Sequence, residues 1–152
     1  MSKNIIRSKI IPGVMTKKLI THTDQSGYFR ELYRCDENMF GLPVQTNITM
    51  CYPGFIKAFH YHKYQSDLWY VVSGNIRVVL IDPETDKQEI IYMGDSNPIL
   101  LSIPPNVLHG YQVLGNSPAI LMYHVDSLYN PKEPDEGRVP YDKIFDWSIK
   151  FE

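Results

Sequence analysis

The sequence predicts an all-β domain, a sandwich or barrel with little helix. Its apolar runs are short and rich in β-branched and aromatic residues. Turn residues separate them every roughly 10 to 15 positions, and no helical period intervenes. In chain order, "IIPGVMTKKLITHTD" (10–24) reads as one or two strands, and "GYFRELYRCDENMFG" (27–41) as a strand finishing in a short helix. "LWYVV" ends at Ser73-Gly74-Asn75 and "IRVVLI" at Asp82-Pro83. Gly74 and Asn75 both tolerate positive φ, so a hairpin is expected between those two runs. "EIIYM" ends at Gly94-Asp95, "PILLSI" at Pro104-Pro105, and "AILMYHV" runs towards Asp126. The Pro- and charge-rich stretch 131–143 is expected to be an exposed loop, and "IFDWSIKF" (144–151) a last strand or a docking tail. With no repeat, linker or low-complexity tract, residues 1–152 read as a single domain, long enough to bury a core.

Composition narrows the function. Net charge is −2 with no basic block, which argues against nucleic-acid binding. No run of apolar residues is long enough to span a membrane, and "MSKNIIRSKI" lacks a signal-peptide core. Cys35 and Cys51 form no closely spaced framework, so free thiols and a cytoplasmic setting are expected. The 11 Tyr, 6 Phe and 2 Trp suit a pocket gripping a polar ring, and they fill β-sheet surfaces as readily.

The chemistry concentrates in "GFIKAFHYHKYQSDLWYVVSG" (54–74). Side chains alternate along a strand, so Ile56, Ala58, His60 and His62 share one face and Lys57, Phe59 and Tyr61 the other. Two histidines on an interior face are costly to bury without partners. The residues alone leave open whether they hold a metal or one of them moves a proton.

The wider spacing is similar to the two motifs of the cupin superfamily. Gly54, His60, His62, Asp67 and Gly74 make the first, with Asp67 where glutamate is usual. Pro104, Asn106 and His109 make the second, with Asn106 where glycine is usual. That resemblance implies a small jelly-roll β-barrel with the site in its mouth. The runs "DQSGYFRE" (24–31), "VQTN" (44–47), "FHYH", "QSDLWYVVSG", "SIPPNVLHGYQVL", "AILMYHVDSLYNP" and "EGRVPYD" also resemble, in that order, the sugar-nucleotide 3,5-epimerases of the dTDP-4-dehydrorhamnose type. The likeness runs from about residue 13 to residue 151.

This resemblance implies a cytoplasmic isomerase of deoxysugar and polysaccharide biosynthesis, acting on a nucleotide-linked 4-keto-6-deoxy sugar with no cofactor and no metal. His60 falls where the family has its base, and Tyr123 where it has its acid. His109 falls on a third catalytic position, a histidine supporting the base or the oxyanion. Lys57, His62, Gln45, Asn47, Glu31 and Tyr129 are the substrate contacts it suggests, and a homodimer with an N-terminal strand crossing to its neighbour is implied. The residue types suit the reaction. A 4-keto group acidifies the hydrogens at C3 and C5, and inversion needs a base on one ring face and a donor on the other. Histidine, with a pKa of about 6.5, can accept a proton near neutrality, and tyrosine, at about 10, holds one to return.

The chain departs from the family pattern at several positions. Asp67 stands where a lysine is expected, Lys57 and Ser26 where arginines are, and Ala58 where a glycine is. No segment near Glu152 matches the family carboxylate that orients the base, which leaves His60 without an assigned partner. Three alternatives follow. "KAFHYHK" is similar to a strand of the cupin 3,4-ketoisomerases. A set of His60, His62, Asp67 and His109 would suit a metal-dependent dioxygenase or isomerase. The missing cations fit a non-catalytic sugar-nucleotide binding domain.

Overall fold

A computed structural model of the chain describes residues 4–149. Two antiparallel sheets face one another. The first has six strands in the order β1 (Ile5–Arg7), β2 (Met15–Lys18), β10 (Ile99–Ile103), β7 (Asp67–Ser73), β12 (Ala119–Val125), β5 (Gln45–Cys51). The second has five, in the order β13 (Gly137–Arg138), β6 (Ile56–Tyr61), β11 (Leu108–Leu114), β8 (Asn75–Ile81), β9 (Gln88–Gly94). A small hairpin, β3 (His22–Asp24) with β4 (Gly27–Phe29), stands apart, and a single 3-10 turn covers Cys35–Glu37. The expected all-β jelly roll with little helix is what forms, and the N-terminal strand β1 pairs with β2 of its own chain.

The core explains why the central strands are apolar throughout instead of alternating. Trp69 and Val71 of β7, Ile76, Val78 and Leu80 of β8, and Leu121 of β12 pack between the sheets. The opposite side chains are covered too. Leu68, Tyr70 and Leu100 lie under Leu32, Tyr33, Met39 and Phe40. Phe59, Val79 and Ile81 lie under Trp147, Phe145 and Ile144. Strands buried on both faces read as continuous hydrophobic runs.

One expectation is corrected, and one left open between two readings is decided. β7 and β8 do not form a hairpin, since β7 pairs with β10 and β12 while β8 pairs with β9 and β11. Gly74 is a corner at which the chain changes sheets, because each strand carries an inward apolar face that packs across the sandwich. The terminal segment 144–149 is a docking tail and not a strand. Arg77 fixes it, donating to the Trp147 carbonyl and stacking over the Phe145 and Trp147 rings. Residues 150–152, and with them Glu152, lie outside the described residues.

Candidate active site

At one end the sheets enclose a cavity of about 1070 Å³, with β6 and β11 on one wall and β5, β7 and β12 on the other. His60 enters from β6 and Tyr123 from β12, so the two candidate proton carriers stand on opposing sheets. His109, His62, Lys57, Gln45, Asn47 and Tyr129 line the same space. Glu31 does not. It is exposed beside Arg34, 3.9 Å away, in the stretch that leaves β4 to cover the outer face of the six-stranded sheet.

Lys57 reaches the cavity because simple alternation fails along β6. His109 pairs with His60 and Tyr111 with Lys57, so the register slips by one residue on the β6 side. The extra residue turns Ala58 outward with Phe59, and Lys57 regains the face of His60. Gly110 permits this, since a methyl there would overlap Ala58. Asn106 takes φ 64 in the turn leading to β11, a conformation asparagine tolerates better than most residues, and its amide donates to the His62 carbonyl at 2.7 Å.

The partner of His60 comes from the stretch expected to be an exposed loop. Its middle, 135–139, is half-buried except for Arg138. Gly137–Arg138 pair with β6 opposite Tyr61 and His60, and the Phe59 and Val139 amides exchange bonds of 3.0 Å. A methyl on Gly137 would strike the Tyr61 ring, so glycine lets the strand lie this close. The preceding residue, Glu136, sets Oε1 3.0 Å from His60 Nδ1 and accepts from Arg138 Nε at 2.7 Å. Asp135 ties the same strap to the 63–65 turn, its carboxylate accepting the amides of Lys63, Tyr64 and Gln65. Sequence reading missed both acids. A two-residue strand inside a Pro- and charge-rich run has no period to detect, and the one available signal is a glycine between opposite charges in "EGR".

Two of the cavity histidines have a defined tautomer: the Asp135 carbonyl accepts from His62 Nδ1 at 2.7 Å, and the Val107 carbonyl from His109 Nδ1 at 3.0 Å. With Nδ1 protonated, the lone pair of each neutral ring is on Nε2. Burial pushes the His60 imidazole below its ordinary value, against the opposing pull of Glu136. Burial takes His109 to about 4, so it is neutral at pH 7. Burial, then the Asp67 and Glu136 charges, raise the Tyr123 phenol, which therefore keeps its proton. Asp67 is buried and accepts from Gln65 Nε2 at 2.8 Å and Trp69 Nε1 at 2.9 Å. His124 faces outward, its Nδ1 2.8 Å from the Thr46 hydroxyl. Ser26 stays on the exposed hairpin, bonded to Asp24.

This arrangement can remove a proton from one face of a bound ring and deliver one to the other. Comparison with known proteins identifies the family. The profile of a family described as dTDP-4-dehydrorhamnose 3,5-epimerase matches residues 8–148. The spore coat polysaccharide biosynthesis protein SpsL of Bacillus subtilis is 45% identical over 150 residues, covering 93% of this chain and 99% of that one. The probable low-salt glycan biosynthesis epimerase Agl13 of Haloferax volcanii is 30% identical, covering 92% and 96%. A crystal structure of dTDP-4-dehydrorhamnose 3,5-epimerase from Sulfolobus tokodaii superposes with a TM-score of 0.83 at 26% identity, covering 97% of this chain and 88% of that one.

Proposed function

We propose that this chain, which belongs to the dTDP-4-dehydrorhamnose 3,5-epimerase family, inverts C3, C5 or both in a nucleotide-linked 4-keto-6-deoxy sugar by proton transfer between His60 and Tyr123. It is an isomerase of the carbohydrate-epimerase class. The observation that carries the mechanism is the placement of His60 and Tyr123 on opposing sheets across one cavity.

His60 Nε2 takes the proton from the carbon next to the ketone, and the C–H electron pair moves onto the 4-keto oxygen as an enolate. Glu136, with Oε1 3.0 Å from Nδ1, supplies a counter-charge that stabilises the imidazolium as it forms. The Tyr123 hydroxyl then protonates the same carbon from the opposite face, leaving that centre inverted. Gln45, Asn47 and Tyr129 form one polar edge of the cavity, with the Gln45 amide bonded to Asn47 and its carbonyl to the Tyr129 amide. Lys57, held at 2.7 Å by Thr49, is the cation on this wall suited to a diphosphate. At about 1070 Å³ the space is at the upper end of small-molecule sites, which fits a nucleotide-linked sugar better than a free monosaccharide.

The test is incubation with a dTDP-linked 4-keto-6-deoxy sugar in D₂O. Deuterium enters C3, C5 or both, and the labelled position identifies the centre inverted. Tyr123→Phe abolishes inversion while leaving part of the exchange, because the base still works. Absence of any exchange in the folded wild-type protein would sink the proposal.

A further inference from the structure

Proton abstraction puts a negative charge on the 4-keto oxygen, and that charge needs a hydrogen-bond donor within the cavity. The floor of the cavity decides which donor can reach it. Among the lining side chains, Asp67, Trp69, His109, Tyr111, Leu121 and Val125 are buried and make the floor, whereas Tyr64 and Tyr129 stand exposed at the mouth. Leu121 and Val125 are apolar. The Asp67 carboxylate is an acceptor, and it takes the Trp69 indole N–H at 2.9 Å. The Val107 carbonyl takes the His109 Nδ1–H, which leaves a lone pair and no proton on Nε2.

Tyr111 is different. Its ring stands edge-on to Trp69, centroids 5.8 Å apart, and is 4% exposed. Its hydroxyl is buried and has no hydrogen-bond partner among the described residues. Thr49 and Cys51 are neighbours, but the Thr49 hydroxyl accepts from Lys57 Nζ at 2.7 Å. A buried hydroxyl with no partner has lost its hydration and gained nothing in exchange, so packing does not explain it. Phenylalanine would fill the same space against Trp69.

We propose that Tyr111 is a further catalytic residue, whose hydroxyl donates a hydrogen bond to the 4-keto oxygen and stabilises the enolate. The role rests on the epimerase reading above. In a pyranose, C4 lies across the ring from C1, the carbon that carries the nucleotide. The bulky nucleotide stays towards the open mouth, so the 4-keto oxygen leads into the floor. There it meets the one floor side chain with a proton to give. Burial raises the Tyr111 phenol, so it donates without ionising. Tyr111 keeps its proton throughout, since His60 takes one from carbon and Tyr123 returns one. The cations nearby are engaged, Lys57 by Thr49 and Arg138 by Glu136.

The experiment compares wild type, Tyr111→Phe and Tyr123→Phe with a dTDP-linked 4-keto-6-deoxy sugar in D₂O, following exchange and inversion separately. Both processes pass through the enolate. Tyr111→Phe is therefore expected to slow them together, by about 10²- to 10³-fold in kcat, with KM little changed. Tyr123→Phe instead loses inversion and keeps part of the exchange. The urea midpoint of Tyr111→Phe should equal or exceed that of wild type, because the hydroxyl makes no bond within the chain. Exchange by Tyr111→Phe at the wild-type rate overturns the role and leaves the epimerase reading standing. Lost inversion with exchange retained also overturns it, since the hydroxyl would then serve Tyr123 in the second step. A lowered midpoint, or a Tyr111→Phe chain that does not fold, would show a structural hydroxyl and overturn the role as well. No exchange by folded wild type sinks the epimerase reading itself, and the role with it.

Discussion

Glu136 is the carboxylate beside His60, with Oε1 3.0 Å from Nδ1. An imidazole whose Nδ1–H meets a carboxylate presents a bare Nε2 and gains a counter-charge when it takes a proton. Glu136→Gln keeps an oxygen that can accept from Nδ1 but removes the charge. Exchange of substrate hydrogen with D₂O is expected to slow by about ten- to a thousandfold, with substrate affinity little changed. A KM that rises while kcat holds would show that Glu136 binds substrate instead of positioning the base. His60 and His62 stood out by strand alternation, and His109 and Tyr123 through the resemblance to a known family; all four line one cavity. Glu136 was not legible, since its partner is more than seventy residues distant and its own segment has no period. Lys57 was legible by type but on the wrong face, because the register slip in β6 depends on Gly110 in another strand.

At the scale of elements, the site is built by two close approaches that tolerate no side chain. Gly110 lets β11 lie against Ala58, and Gly137 lets β13 lie against Tyr61. The second has the clearer functional consequence. Gly137→Ala drives a methyl into the Tyr61 ring, and forcing an added carbon into a packed contact costs about 1–3 kcal/mol. Relief comes most easily by lifting the short edge segment 137–139 from β6, and that withdraws Glu136 from His60. Gly137→Ala should therefore slow exchange to nearly the extent of Glu136→Gln, with only a modest fall in melting temperature. Full exchange at the wild-type rate would show that the strap does not control the base. The Gly74 corner is the complementary lesson. Its residues favour a tight turn, as the sequence suggested, but a tight turn does not specify whether the next strand pairs or crosses. The inward faces of β7 and β8 made that choice.

At the scale of the whole molecule, the cavity end of the sandwich is free to hold polar chemistry because the rest of both sheets is sealed on three levels. One apolar layer lies between the sheets, one lies under the 32–40 segment, and one lies under the C-terminal tail. The alternating and continuous strand patterns made the sheets legible from sequence, but which segments cover their outer faces was not, since a docking tail of a few aromatics carries no secondary-structure signal. Trp147 tests how much that cover contributes. Its ring centroid lies 5.4 Å from Phe59 and 4.9 Å from Phe145, its indole donates to the Tyr141 carbonyl, and Arg77 stacks over it. Trp147→Ala empties that layer, and losses of this kind cost about 3–5 kcal/mol. The urea midpoint should fall with the slope of unfolding unchanged. Phe59, the residue Trp147 covers, points away from the cavity, so exchange per folded molecule should change far less than in Glu136→Gln. A variant that kept its midpoint but lost exchange would mean that the tail acts on the site through β6 and does not simply seal the sheet.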